Sequence, residues 1–180
     1  MAKLTPVGRV SFPSLFEPRV NEQGKRSWSV VLVFDPAAQQ TAEYAEMVKT
    51  IEQTAAERFG QKIPSGIKRK SLEPKSGYPI TSTAAKEQYF SWAEDGSVMV
   101  TLSSRYPPLV VDRDKSEILD ASQVYAGCYA RASYSCYAYS ASGNEGVSFG
   151  LRALQKTADG DSLTGGGRAS ADDFGDVASF

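Results

Sequence analysis

Aromatic and cationic residues recur at every second position in the C-terminal third of the chain. From residue 129 to residue 139 the odd positions carry tyrosine, arginine or serine, whereas the even positions carry mostly small apolar residues. Side chains alternate between the two faces of a strand, so one face would present phenol rings beside cations. Phenol rings stack on nucleobases and cations attract phosphates, which predicts a surface for an unpaired nucleic-acid strand. The candidate binding residues are Tyr129, Arg131, Tyr137, Tyr139, Arg152 and Lys156.

A long β-hairpin is needed to place these residues on one face. Residues 142–146, with the sequence Ser-Gly-Asn-Glu-Gly, can turn the chain. The second strand continues the alternation and predicts that Ser148, Arg152 and Lys156 share the binding face. The residues expected on its core face are Val147, Phe149, Leu151 and Ala153. The alternative explanation is ordinary cross-strand packing of tyrosines, which is common in sheets.

Catalytic chemistry is poorly represented in the sequence. The chain contains no histidine, which removes His-based acid–base catalysis, Ser-His or Cys-His nucleophile pairs and His-ligated metals. Three acidic pairs could hold a metal ion in a nuclease, but each lies in a turn-like stretch where exposed acids are ordinary. These pairs are Glu94 with Asp95, Asp112 with Asp114, and Asp159 with Asp161. We therefore expect a non-enzymatic protein with no catalytic residues, no metal and no other cofactor.

Charge is distributed unevenly along the chain. The formal net charge is −1, yet all 20 Lys and Arg lie at or before Arg168, whereas three of the 21 acidic residues follow it. The part through Arg168 therefore carries a net charge of +2, and the only charged residues among the last twelve are three aspartates. A mildly basic body with an acidic end is compatible with an anionic ligand, although +2 is a weak indication alone.

The two cysteines, Cys128 and Cys136, lie eight positions apart on the predicted strand. At roughly 3.3 Å per residue they are about 26 Å apart, which is beyond the reach of a disulfide. We expect both to be buried thiols in a reducing compartment. No stretch approaches the roughly 20 apolar residues of a membrane span, so the sequence predicts a cytoplasmic protein without a membrane partner.

The first half of the chain predicts further strands and one main helix. Residues 7–20 alternate partly but contain two prolines, which is typical of an edge or bulged strand. Residues 27–34 predict a strand that is covered on both faces at its far end. A helix is expected from the Asp35-Pro36 start to Gly60, with its apolar face packed on the sheet. Two further strands are expected at residues 97–103 and 109–111.

Residues 61–96 show a weaker pattern with two clusters. A basic run is either a solvated loop or a flexible arm that closes over a bound strand, and it consists of Lys68, Arg69 and Lys70. The aromatic residues between Tyr89 and Trp92 are better explained by the core packing of a short helix than by base stacking.

The end of the chain predicts a flexible linker and an acidic tail. Residues 160–168 are rich in glycine, and the segment that follows has too little apolar content to fold alone. Its mixture of aspartate and phenylalanine indicates a docking peptide. The candidate partner-binding residues are Asp172, Asp173, Phe174, Asp176 and Phe180.

Several segments resemble a family of tailed-phage single-stranded-DNA-binding proteins. The most specific part is the run from Val124 to Gly167, which contains VYAGCYARASYSCYAY and GVSFGLRALQKTADGDSLTGGG. RVSFPSLFEPR and SWSVVLVF near the start, and DDF near the end, are similar to the same family. The resemblance implies an oligonucleotide-binding (OB) fold that coats single-stranded DNA during phage replication or recombination, in the cytoplasm of the bacterial host. It also implies that the tail recruits replication proteins and competes with DNA. One departure is that the main helix follows the second strand, whereas the usual OB helix lies between the third and fourth.

The sequence therefore predicts a mainly β protein in two parts. Residues 1–158 are expected to form an OB-fold-like five-stranded barrel with one packed α-helix, and residues 159–180 a flexible linker with a disordered acidic tail. The expected partners are single-stranded DNA, bound without sequence preference, and phage or host replication and recombination proteins; a homo-oligomer stays open. The two alternatives are a metal-dependent phage nuclease and a structural virion protein with a β-sandwich.

Overall fold

The computed structural model describes residues 2–141 and 143–163. The candidate tail residues Asp172, Asp173, Phe174, Asp176 and Phe180 lie outside this part of the chain. The strands in it are β1 (Lys3–Leu4), β2 (Gly8–Val20), β3 (Arg26–Phe34), β4 (Ile80–Ser82), β5 (Val98–Ser104), β6 (Leu109–Val111), β7 (Tyr129–Ala141) and β8 (Asn144–Ala158). The α-helices in it are α1 (Ala42–Phe59), α2 (Ser65–Lys68) and α3 (Glu87–Phe90).

Five of these strands close into a barrel. β2 pairs with β3, β3 with β5, and β7 with both β8 and β2, all antiparallel. β5 and β8 run parallel and complete the ring. The short strands β1, β4 and β6 extend it by pairing with β7, β5 and β8. This arrangement is the five-stranded barrel of an OB fold, and it confirms the predicted fold class.

The barrel interior is filled by every second side chain of its strands. On β3, Trp28, Val30, Leu32 and Phe34 are all buried, as the alternation predicts. On β7, Ala130 and Ala132 are fully buried, and the Tyr134 ring packs edge-on against Phe149 of β8 with centroids 5.3 Å apart. Cys128 is also buried, whereas Cys136 is half-buried, and both thiols are free.

β2 is bulged, as its prolines predict, but it is not an edge strand because both β3 and β7 pair with it. Its register against β3 shifts between Ser11 and Ser14. Phe12, between them, has a backbone φ of 44°, a conformation that is strained for an aromatic residue. The bulge turns the Phe12 ring outward, where it is 45% exposed.

β8 contains a second bulge, which sequence alternation does not reveal. Leu151 and Ala153 oppose consecutive residues of β7, so Arg152 is an extra residue in β8. A bulge of one residue exchanges the faces of the side chains that follow it. The prediction that Ala153 faces the core is therefore wrong, and Leu154 is fully buried instead.

The main helix begins later than predicted. Asp35 accepts a hydrogen bond from the Ala38 amide at 2.8 Å and starts only a 3₁₀ turn over Ala38–Gln40. α1 itself begins after Thr41, whose extended backbone separates it from that turn and whose hydroxyl accepts from the Tyr44 amide at 3.2 Å. α1 ends at Phe59 and is capped by Gly60, as expected, with a φ of 58° at the glycine.

α1 follows the second barrel strand and packs on the core. Its buried side chains include Met47, Ile51 and Ala55, which belong to the same apolar cluster as the barrel interior. Lys3 of β1 donates to Glu46 at 3.1 Å and to Thr50 at 3.0 Å. α1 therefore covers the apolar core of the barrel. It follows the second barrel strand, whereas the usual OB helix lies between the third and the fourth.

The outer face of β3 and β5 is partly covered, which the sequence of β3 predicts. Val31 and Val33 of β3 and Met99 of β5 are buried beneath a segment that contains α3. Phe90 is 3% exposed in this second apolar cluster, and Trp92 packs at its margin. The segment forms a ridge across the outside of the barrel.

Two buried phenols, Tyr78 and Tyr134, and the half-buried Tyr44 predict a loss of stability in alkaline solution. Burial raises the pKa of Tyr134 to about 12 and raises the pKa values of Tyr44 and Tyr78 above the ordinary value. The folded protein keeps these protons at a pH where the unfolded chain has lost them. Stability should therefore be full below about pH 10 and fall as the pH rises from 10 towards 12.

Urea unfolding midpoints measured across this pH range should show the fall. Tyr134→Phe should reduce it, whereas Tyr106→Phe should not, because Tyr106 is 78% exposed. An unchanged pH dependence in Tyr134→Phe would contradict the proposed role of that phenol.

Candidate nucleic-acid interface

An arginine and two aromatic rings meet where β2 closes the barrel against β7. Arg9 lies directly opposite Tyr129 in this pairing. The Arg9 guanidinium carbon is 5.6 Å from the Tyr129 ring centroid and 5.3 Å from that of Trp92. Its Nε donates to the Gly127 carbonyl at 3.1 Å, so the guanidinium is held in place. We call Arg9, Trp92 and Tyr129 the Arg9 cluster; a cation between exposed aromatic rings can offer both stacking and charge.

Further aromatic surface borders this cluster on β2. The Phe12 ring meets Tyr89 and Phe90 edge-on, with centroids 5.8 Å and 6.1 Å apart. Tyr89 is 53% exposed, so the expected core packing of the aromatic run holds for Phe90 but not for Tyr89. Exposed ring edges at Phe12 and Tyr89 extend the apolar surface beside the Arg9 cluster.

A second group of tyrosines and cations lies at the tip of the β7–β8 hairpin. Tyr139 lines a cleft together with Lys62, Lys75 and Glu145. Tyr137 is 46% exposed. Within residues 2–141 and 143–163, neither lysine has a carboxylate oxygen within 4 Å. We call Tyr137, Tyr139, Lys62 and Lys75 the tip cluster.

A row of paired residues on the outer side of the barrel connects the two clusters, and its members Val33 and Met99 are buried beneath the segment that contains α3. Tyr129 pairs with Arg9, Arg9 with Val33, and Val33 with Met99. Met99 lines a cleft that also contains Tyr139. Neighbouring strands are about 4.8 Å apart, so the row from Tyr129 to Met99 spans roughly 14 Å. A ligand could therefore contact both clusters by crossing the strands over the ridge.

Small side chains form a low strip on the same face. Ser29 pairs with Ser103, Ser103 with Gly150, and Gly150 with Ser135, in a row across β3, β5, β8 and β7. A Cβ atom at Gly150 would lie 2.4 Å from the Ser135 hydroxyl oxygen. The absence of a side chain at Gly150 thus keeps this strip shallow and leaves room for a chain to approach the backbone.

The two arginines that the sequence predicts on the binding face both point outward, but in the part of the chain that the structure describes only one of them has a side chain fixed by hydrogen bonds. Arg131 is half-buried, and its Nε donates to the Gln155 side chain at 2.8 Å. Gln155 in turn donates to the carbonyls of Asp112 and Arg113, which fixes the Arg131 side chain. Arg152 is exposed at the β8 bulge.

Lys156 does not lie on the predicted face. The bulge at Arg152 places it opposite the fully buried Ala130, and only 15% of its side chain is exposed. Its ammonium lies 5.4 Å from the Tyr125 ring centroid and pairs with Asp159 at 2.6 Å. That ammonium and the Tyr125 hydroxyl hold the pKa of Asp159 below its ordinary value. The expectation that Lys156 shares the tyrosine face is therefore wrong.

The basic run sits on an ordered part of the surface. Lys68, Arg69 and Lys70 are all exposed. Lys70 pairs with Glu52 of α1 at 2.8 Å, and the neighbouring Ile67 is buried. The run is thus tied to α1, and the cations that line the cleft with Tyr139 are Lys62 and Lys75 instead.

Residues 159–163 are fixed to the barrel beside the Arg9 cluster. The Tyr125 hydroxyl donates to Asp159 at 2.9 Å and accepts from the Gly160 amide at 3.2 Å. The Leu163 amide donates to the Ala126 carbonyl at 2.9 Å, and Nη2 of the Arg9 side chain donates to the Asp161 carbonyl at 2.9 Å. The folded body therefore extends at least to Leu163, beyond the predicted boundary after residue 158. We call residues 159–163 the tail root.

Asp112 and Asp159, which belong to two of the three acidic pairs, serve as turn and anchoring groups. The Asp112 carboxylate accepts from the amides of Asp114 and Ser116, at 2.8 Å and 3.0 Å, and closes a turn. Asp159 belongs to the tail root. In the described part of the chain, no three potential metal-ligating acids or cysteines come together. None of the helices described has the length and apolar character needed to cross a membrane.

The family of the chain is shown by its sequence. A family model for the single-stranded-DNA-binding protein of Enterobacter phage Enc34 matches residues 2–179. The chain belongs to this family. Protein p50 of Acyrthosiphon pisum secondary endosymbiont phage 1 is 31% identical over 172 residues, which cover 94% of this chain and 90% of that protein. Membership of this family confirms the predicted resemblance and agrees with a binding protein rather than an enzyme.

Two solved phage structures share the fold. The Enc34 single-stranded-DNA-binding protein in complex with single-stranded DNA matches with a TM-score of 0.69 at 17% identity, covering 88% of this chain and 87% of that chain. The gp2.5 single-stranded-DNA-binding protein of bacteriophage T7 matches with a TM-score of 0.64 at 13% identity, covering 93% and 97%. At these identities the similarity concerns the fold.

The tail root should loosen when its hydroxyl anchor is removed. Tyr125→Phe keeps the ring under Lys156 but deletes the bonds to Asp159 and Gly160. A hydrogen bond contributes about 1 kcal/mol, so the amides of Gly160 and Leu163 should exchange hydrogen with solvent about fivefold faster. Hydrogen exchange followed by NMR measures this. Tyr137→Phe is the control, and equal rates in both variants would show that Tyr125 does not hold the segment.

Proposed function

We propose that this protein binds single-stranded DNA across the outer face of its barrel, from the Arg9 cluster to the tip cluster. The observation that carries the proposal is the Arg9 guanidinium fixed between the Trp92 and Tyr129 rings. Membership of a family of phage single-stranded-DNA-binding proteins supports the same ligand. The solved relative in complex with single-stranded DNA shows that this barrel type can hold such a strand.

In the proposed complex, bases stack on tyrosine rings and phosphates meet arginine and lysine. Tyr129 and Tyr137 are exposed, the first at the start of β7 and the second in its latter half. Cations accompany both parts of the strand, as Arg9 lies beside Tyr129 and Lys75 shares a cleft with Tyr139. Arg131 and Arg152 would add phosphate contacts between the clusters. None of these contacts reads a base edge, so the binding would tolerate any sequence.

Typical magnitudes are sufficient for useful affinity. Stacking contributes about 1–3 kcal/mol per base, and a micromolar complex needs about 8 kcal/mol. Three tyrosines would supply part of this free energy, and phosphate contacts would supply the remainder. The affinity would therefore fall steeply with salt.

In the phage life cycle, this binding would protect unpaired DNA during replication and recombination in the cytoplasm of the bacterial host. The tail would recruit phage or host replication proteins and compete with DNA for the same surface. The tail root supports the competition because it lies against Arg9 at the proposed DNA surface.

Removal of one stacking ring should weaken DNA binding. Tyr137→Ala should lose about 1–3 kcal/mol, or roughly 5- to 150-fold in affinity for oligo(dT). Tyr137→Phe keeps a ring for stacking and should bind nearly as wild type. Fluorescence titration with oligo(dT) at several salt concentrations measures both. Equal affinities for wild type, Tyr137→Ala and Tyr129→Ala would contradict the stacking surface.

Different tail variants should distinguish the competition of the acidic residues with DNA from the binding of replication proteins. Deletion of residues 169–180 should tighten DNA binding at low salt and abolish the capture of replication proteins. Replacement of Asp172, Asp173 and Asp176 by asparagine should reproduce the tighter binding, because the competing charge is gone. Phe180→Ala should impair capture while leaving DNA affinity near that of wild type. Unchanged affinity and unchanged capture after the deletion would exclude both roles.

A further inference from the structure

A cleft beside the Arg9 cluster has polar groups that phosphate binding does not explain. Its volume is about 210 Å³, and Arg9, Trp92 and Tyr129 form one wall. Asp35 and Ser97 also line it, as does Glu94. The cleft therefore joins stacking surfaces to two carboxylates and a hydroxyl.

The Ser97 hydroxyl is buried at the cleft without a partner. Ser97 is 1% exposed, and within the described part of the chain its Oγ atom makes no hydrogen bond. Its backbone is firmly placed, since the Ser97 carbonyl accepts from both the amide and the hydroxyl of Thr83 at 3.1 Å. A buried hydroxyl that lacks a partner is unusual in a folded protein. A ligand that enters the cleft would supply one.

The two carboxylates are free to accept hydrogen bonds. Asp35 uses one oxygen to accept from the Ala38 amide, which leaves its second oxygen available. Glu94 is exposed, and neither residue has a cation within 4 Å among residues 2–141 and 143–163. Carboxylates repel phosphates, so their place beside a proposed DNA surface needs a different ligand group. N–H donors on a base edge are suitable, because carboxylates accept from such donors in nucleic-acid recognition.

We propose that this cleft binds the edge of a guanine base within the single strand. This proposal rests on the proposed DNA-binding function and adds a base preference at one position. Guanine carries two adjacent N–H donors, N1–H and N2–H, next to the O6 acceptor. A carboxylate accepts from the two donors, the Ser97 hydroxyl donates to O6, and the base plane stacks on the Tyr129 ring. Cytosine and adenine offer one amino group, and thymine one imino group, so each makes fewer bonds here.

The test compares oligonucleotides that differ in one base. Twelve-residue oligo(dT) is titrated against versions that carry a single central dG, deoxyinosine or dA. The dG version should bind about fivefold more tightly than oligo(dT), the lower end of discrimination by a bidentate base contact. Deoxyinosine lacks the N2 amino group and should lose most of this gain, and dA should show none.

Variants locate the preference within the cleft. Glu94→Gln and Ser97→Ala should each bring the ratio of dG to dT affinity towards one. Glu87→Gln is the matched control, because Glu87 is an exposed acid on α3 that does not line this cleft. A dG preference that survives in both cleft variants would overturn the assignment of the site.

The outcomes separate this proposal from the function on which it rests. Equal affinities for dG, deoxyinosine and dT, with salt-sensitive binding of oligo(dT), would overturn the guanine cleft and leave the DNA-binding function intact. A protein that shows no salt-sensitive binding of any of these oligonucleotides would overturn both.

Discussion

The barrel closes through two residue pairs, Gly8 with Ala130 and Arg9 with Tyr129. This contact requires β2 to pass close over Phe34, since a Cβ atom at Gly8 would lie 2.8 Å from the Phe34 ring. A larger residue at Gly8 would push the start of β2 away from Phe34, and with it the strand that places Arg9 opposite Tyr129. The packing of a glycine on an aromatic core residue thus supports both the fold and the proposed interface.

Alternating side chains along β7 serve two purposes, since one face of the strand packs in the core and the other forms part of the proposed DNA surface. The even positions Ala130, Ala132 and Tyr134 are buried in the core, whereas Tyr129 and Tyr137 reach solvent. Because neighbouring residues point to opposite faces, one strand can satisfy both demands without conflict. The outer face is kept accessible by small residues such as Gly150, while α3 and its neighbours cover the apolar part of β3 and β5.

Local patterns in the sequence were sufficient to predict the five barrel strands, β6, the β7–β8 hairpin and the exposure of Tyr129 and Tyr137, but not the short strands β1 and β4. Each of these depends on side chains a few positions apart. The faces beyond Arg152 could not be predicted, since a bulge depends on how β8 meets its partner strand, and Lys156 was therefore placed on the wrong face. The start of α1 was predicted too early because Asp35 begins only a 3₁₀ turn. The sequence does not show that Thr41 adopts an extended backbone and separates this turn from α1.

The Arg9 cluster was not predicted for a different reason. Arg9 and Tyr129 lie 120 positions apart in the sequence, and only barrel closure makes them neighbours. The one available sign was a cation, Arg9, between Gly8 and Val10 at the start of β2. Trp92 was assigned to the core, yet it packs at a margin where part of its ring stays accessible. Contacts of this kind depend on tertiary structure, whereas the individual strands follow from shorter-range patterns and the OB barrel is what the family resemblance implies.

The hydrogen bond between Arg9 and the Asp161 carbonyl means that the tail root and the proposed DNA surface share one side chain. Coupling between two binding events through a shared group is reciprocal in free energy. A ligand that draws the Arg9 side chain away from Asp161 makes the attachment of the tail root less favourable. Release of the tail root makes the binding of that ligand more favourable by the same free energy. Arg9 would then couple the affinity for a ligand at the proposed DNA surface to the release of the C-terminal segment, which would become free to bind a second partner.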